Sequence, residues 1–165
     1  MEHIELAVRG GGILLTLLMA VLLLRDAGRT VVGRLAALFS VGVGAYLVCS
    51  APGFHELAPI IHFPLLVLCV SNPVLFWLLA RALFDDAFRL RPAYSLYVVA
   101  LLLAKGTQVL IGGPIGLFGG FAVHAIDLGL VVHALWTAYQ GRADDLSKER
   151  RNFRLPFVVG SGSLA

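Results

Sequence analysis

Apolar residues in this chain come in long runs, at 8–24, 31–50, 59–80, 93–111 and 116–139, separated by short stretches that collect most of the charge. Such runs show neither the alternation of a half-exposed strand nor the single stripe of a surface helix. Each approaches the roughly 20 residues that an α-helix needs to cross about 30 Å of hydrocarbon. Lipid offers the backbone no hydrogen-bond partners, and the runs are too long and uninterrupted for barrel strands, so each is expected to be a helix. The pattern predicts an all-α fold: a polytopic transmembrane helix bundle of about five spans over 1–141, followed by a basic segment at 142–154. Apolar character resumes at Leu155, but the eleven residues of 155–165 would reach only about 16 Å as a helix. They are expected to be the start of an incomplete sixth span or a short tail, and the chain to be a truncated product.

Composition supports the membrane reading. The chain is 59% hydrophobic and 14% charged, with a mean hydropathy of +0.88, against about 45–50% and about 25% for soluble domains. Glu2 and Glu5 outnumber Arg9 near the start, and the adjoining apolar run ends at Arg25-Asp26 without a small-residue cleavage motif. A retained first span is expected, not a secretory signal.

The net charge of +3 and pI near 9.2 reflect short clusters between the runs, not a basic face for nucleic acid. Arg25, Arg29 and Arg34 fall in the first connection, Arg81, Arg89 and Arg91 in the third, and Arg142, Lys148, Arg150, Arg151 and Arg154 after the fifth run. That is eleven of the thirteen Lys and Arg. The second and fourth connections have none, so the positive-inside rule places the N-terminus outside and the segment after the fifth run in the cytoplasm. Tyr94, Tyr97, Trp136, Tyr139, Phe84 and Phe88 would form an aromatic belt at that inner boundary.

Three groups of polar residues stand out. Asp127, eleven residues into the fifth run, is an ionisable group at membrane depth, which by its cost faces a bundle interior or water. Lys105 is at similar depth in the fourth run and is its expected ion-pair partner, while His124 is one turn from Asp127 and offers it a hydrogen bond. His133, six residues on, diverges from that face, so the spacing does not make a metal site. His55, Glu56 and His62 flank the start of the third run as a candidate outer pocket. Asn72-Pro73 predicts a helix kink, with Ser71 or Asn72 serving the carbonyl that proline frees.

Other features suggest packing. Cys49 and Cys69 sit in apolar surroundings and read as small buried hydrophobes. Gly10, Gly11, Gly12, Gly42, Gly44, Gly116 and Gly120 offer small-residue faces for helix packing or homo-oligomer contacts, although the Gly116 to Gly120 match overlaps a predicted turn. The chain carries no protease, phosphate-loop, zinc or redox motif, so no enzyme activity, cofactor or metal is expected.

The third run ends in Arg81, Asp85, Asp86, Arg89 and Arg91. On a helix continuing past the run, Arg81, Asp85 and Arg89 would form an i, i+4, i+8 ladder that Pro92 ends. Each exposed pair is worth only about 0.2–0.5 kcal/mol, so the cluster reads as a charge-balanced topology signal.

The stretch SNPVLFWLLARALFDDAFRLRP resembles one found in the N-terminal membrane domains of bacterial AraC-family transcriptional regulators, and DDLSKERRNFRLPFVV resembles the run that precedes the next span in those proteins. With the number and direction of spans, the resemblance covers most of the chain. It implies a membrane-embedded sensor or anchor module in the bacterial cytoplasmic (inner) membrane, of about seven helices. Membrane lipids would surround it, and DNA would be reached only through a C-terminal helix-turn-helix domain absent from this chain; its ligand is unknown. The alternative is a standalone small transporter or channel subunit with a polar path at Asp127 and Lys105. A membrane scaffold that binds another helix through its glycines is a third.

Overall fold

A computed structural model describes residues 2–54, 58–85, 87–111 and 113–140. Five α-helices follow in chain order: α1 (Glu2–Ala27), α2 (Val31–Cys49), α3 (Pro59–Phe84), α4 (Ser95–Leu110) and α5 (Gly113–Gln140), with a single 3-10 turn at Pro92–Tyr94 before α4. No strand occurs among the described residues. Four of these helices are long and apolar enough to cross a membrane: Ile4–Ala27, Val31–Cys49, Pro59–Phe84 and Gly113–Tyr139. Leu14, Ile60, Phe118 and Phe121 are among the large apolar side chains left exposed, as expected where lipid is the solvent. The chain is a polytopic α-helical membrane protein.

The expected fourth span is shorter than its apolar run suggested. Pro92 nucleates the 3-10 turn, and α4 has only 16 residues, about 24 Å at 1.5 Å per residue. Its apolar stretch is bounded by Tyr97 at one end and by Lys105, Thr107 and Gln108 at the other. The result is five helices with four candidate spans, not five spans and the start of a sixth. The segments 142–154 and 155–165 lie outside the described residues.

The chain divides into two compact units, Met1–Leu75 and Phe76–Ala165. In the first, α1 and α2 pair as a hairpin. Thr30 caps α2 by accepting from the Gly33 backbone N–H at 3.0 Å, and its hydroxyl donates to the Ala27 carbonyl at 2.8 Å, which fixes the turn. At the other end of the hairpin, the Arg9 guanidinium donates to Glu5, to the Leu47 carbonyl at 3.2 Å and to the Ser50 hydroxyl at 2.8 Å. Small residues let the backbones approach: a Cβ at Gly44 would lie 2.8 Å from Thr16 Oγ1, and one at Gly42 would lie 2.5 Å from the Asn72 side chain of α3. Cys49 and Cys69 are half-buried and not joined by a disulfide, near enough for their thiols to share a hydrogen bond.

Pro64 and Pro73 both lie within α3, which runs unbroken from Pro59 to Phe84. The Ser71 hydroxyl donates to the Val67 carbonyl at 2.6 Å, so it does not serve the Cys69 carbonyl that Pro73 leaves without its usual donor.

In the second unit, α4 and α5 form another hairpin, turned at Gly113, whose φ of 57° is in the left-handed region that glycine tolerates. Gly116, Gly119 and Gly120 are buried against α4. A Cβ at Gly119 would collide with Thr107 Oγ1 and come within 2.6 Å of the Ala104 carbonyl oxygen. The glycines of the formal Gly116 to Gly120 match are therefore inside a helix, not in a turn, and their face is occupied within the chain.

Candidate functional site

Two polar constellations lie in the second unit. The first is built on the C-terminal turns of α3 and the corner that follows. Trp77 and Arg81 are one turn apart on α3, and Trp77 is 5% exposed. Arg81 Nη2 donates to Asp85 Oδ2 at 2.9 Å and Nη1 to the Tyr94 hydroxyl at 3.2 Å. The guanidinium carbon is 5.5 Å from the Trp77 ring centre, 5.3 Å from that of Phe88 and 5.8 Å from that of Tyr94. All three are within the range of cation–π attraction, worth about 0.5–2 kcal/mol depending on desolvation. The rings also contact one another: Trp77 meets Tyr94 and Tyr97 edge-on at 5.4 and 5.3 Å, and Phe88 stacks on Tyr94 at 6.0 Å.

This cage explains why α3 stops where it does. The Asp85 carboxylate accepts from the Ala87 backbone N–H at 3.1 Å, a local bond of the kind by which aspartate competes with helix continuation. The chain then turns, and Phe88 folds over Arg81. The helix ends at Phe84, so only the Arg81–Asp85 rung of the expected ladder forms. Arg89 is off the helix, and Pro92 opens the next element instead of closing this one. Arg89 and Arg91 are exposed and line, with Arg81, Ala87 and Tyr94, a cavity of about 530 Å³. Asp86 lies outside the described residues.

The cage reaches α5 through His133. The Trp77 indole Nε1–H donates to His133 Nδ1 at 2.9 Å, with the rings 5.8 Å apart. Accepting this bond requires Nδ1 to be unprotonated. Thr137 steadies the same turn through its hydroxyl, which donates to the His133 carbonyl at 2.9 Å. Spacing within one helix set His133 aside, because its partner belongs to another helix. The only signal in the sequence was that Trp77 and His133 both lie near the charged ends of their runs.

The second constellation is the carboxylate of α5. Lys105 and Asp127 are half-buried and His124 is exposed. Lys105 and His124 are both close enough for their charge to bear on Asp127, yet Asp127 Oδ1 is buried without a hydrogen-bond partner. Among the described residues, ion pairs join Arg9 to Glu5 and Arg81 to Asp85, and the expected Lys105–Asp127 pair is not made. One turn before Asp127 on α5, His124 lines, with Gln108, Gly113, Gly116, Gly120 and Phe121, a cavity of about 350 Å³.

Of the candidate outer pocket, His55 and Glu56 lie outside the described residues. The His62 ring meets the buried Phe54 edge-on at 4.4 Å. No group of three or more metal-binding side chains occurs among the described residues. Compared with protein-family models, with curated proteins and with solved structures, the chain finds no match.

Proposed function

We propose that the chain is a non-catalytic, membrane-embedded sensor or anchor module of an AraC-like transcriptional regulator, with its N-terminus outside and its 142–154 segment in the bacterial cytoplasm. One observation carries the reading. Helix α5 bears the unpartnered Asp127 carboxylate oxygen and, six residues closer to the basic segment, the His133 imidazole tied to the Trp77–Arg81 cage. A change in charge or hydration at Asp127 would act on the helix that leads directly into 142–154. The sequence resemblance supplies the regulator, and the positive-inside distribution of Arg and Lys supplies the orientation.

Coupling of this kind requires a signal that binds two arrangements of the helices with different affinity. The decisive experiment is to read the gene beyond Ala165. An in-frame helix-turn-helix domain sustains the proposal, and a stop codon with no such domain overturns it. The orphaned Asp127 oxygen also favours a second reading, a small transporter with a polar path past Lys105 and His124. Proton or solute flux into liposomes, abolished in Asp127→Asn, would establish that reading in place of the first.

A further inference from the structure

We infer that the cavity at the end of α3 is a phosphate-binding site. It is lined by three guanidiniums and a phenol, and their charges are unequally spent. Arg81 is balanced by Asp85 at 2.9 Å, in a pair whose side chains are 23% and 27% exposed. Arg89 and Arg91 have no carboxylate partner among the described residues. Two planar donor forks therefore line a cavity in which no described residue supplies a carboxylate to receive them, and such forks match the oxygens of a phosphate.

Tyr94 adds a neutral donor. Its oxygen already accepts from Arg81, which leaves its own proton to donate. The cage around Arg81 holds that hydroxyl in place, so the site sets a fixed element beside two exposed guanidiniums. The volume of about 530 Å³ is within the range of small-molecule sites, roughly 300–1,000 Å³. It opens at the end of a helix of 26 residues, about 39 Å long, which exceeds the hydrocarbon thickness and brings the guanidiniums to headgroup depth. The phosphate has two sources, a lipid headgroup or a soluble phosphate. Its lining residues, Arg81, Ala87, Arg89, Arg91 and Tyr94, are independent of the regulator reading and of any DNA-binding domain, so the site stands or falls apart from both.

The test uses the full chain in a phosphate-free maltoside detergent, with Trp136→Phe leaving Trp77 as the sole indole. Trp77 packs against Arg81 and reports on the cage. Inorganic phosphate and short-chain phosphatidylglycerol are titrated separately, with a short-chain diacylglycerol and chloride at matched ionic strength as controls. Trp77 emission and lipid or phosphate adducts in native mass spectrometry are both read. The expected result is a saturable response to one of the two phosphates. Arg89→Gln and Arg91→Gln should each weaken it roughly tenfold and together abolish it, with helicity unchanged because both side chains are exposed. Saturation by inorganic phosphate assigns a soluble ligand, and saturation by phosphatidylglycerol alone assigns a headgroup. Arg25→Gln with Arg29→Gln removes the same charge from the α1–α2 turn and should leave binding intact. Equal weakening by that pair, an equal response to diacylglycerol, or no saturable signal in either readout would overturn the site.

Discussion

Gly119 is the most sensitive position in the α4–α5 hairpin. Gly119→Ala adds one methyl group where the Ala104 carbonyl oxygen would be 2.6 Å away, the Gln108 backbone nitrogen 3.2 Å away, and Thr107 Oγ1 closer still. A hydroxyl can rotate, but two of the three neighbours are backbone, so the helices must separate by several tenths of an ångström. Overpacking of this kind costs about 1–3 kcal/mol, and the gain in helix propensity from Gly to Ala returns about 0.5–1 kcal/mol. The expected net loss is up to about 2.5 kcal/mol. Gly129 is the internal control: it lies in the same helix with nothing within 4 Å of an added Cβ, so Gly129→Ala should be neutral or stabilising. Unfolding in mixed micelles of increasing SDS content, followed by circular dichroism, compares the two. Thr107→Ala in the Gly119→Ala background should restore only part of the loss, because the Ala104 carbonyl remains. If Gly119→Ala and Gly129→Ala shift the midpoint in the same direction by the same amount, the close approach of α4 and α5 is wrong.

Three further outcomes are expected. Trp77→Phe should cost about 1 kcal/mol by removing the indole donor, and a double-mutant cycle with His133→Leu in the same assay should show positive coupling; additive effects would deny the Trp77–His133 bond. Asp127→Asn should raise the unfolding midpoint, since it removes the charge from a carboxylate with a buried, unpartnered oxygen, whereas a lowered midpoint would reveal a partner for the anion. Mild oxidation should join Cys49 to Cys69 within one chain, detected by mass spectrometry of the peptides, and its failure would contradict the approach of α2 and α3 at that level.

The helices themselves were legible because apolar runs of this length leave the backbone no other way to satisfy its hydrogen bonds. The extent of α4 was not. Counting residues 93–111 as apolar overlooked the polar group Lys105, Thr107 and Gln108 in its last turns and the effect of Pro92 at its start. Spacing alone revealed the Arg81–Asp85 rung, since i, i+4 neighbours meet on any helix. It could not place Arg89, because the end of α3 depends on a bond from the Ala87 backbone to the Asp85 side chain. The Trp77–His133 contact was invisible for a different reason: helical periodicity sorts residues into faces of one helix, and the pairing of faces between helices depends on register. Asp127 stood out in the sequence as an ionisable residue inside an apolar run, but the partner assigned from depth, Lys105, is not bonded to it.

The Arg9 bridge and the Thr30 cap tie α1 to α2 at both ends of the hairpin, and their bonds join residues no more than 41 positions apart. Domains formed early in synthesis assemble before later segments exist. All of these bonds are available once Ser50 has left the ribosome, so α1 and α2 can enter the bilayer as a preassembled pair, with Arg9 delivered already neutralised by Glu5. For the translocation machinery, α1 and α2 then present themselves as a two-helix cargo, and the orientation adopted by that cargo constrains the helices that follow it.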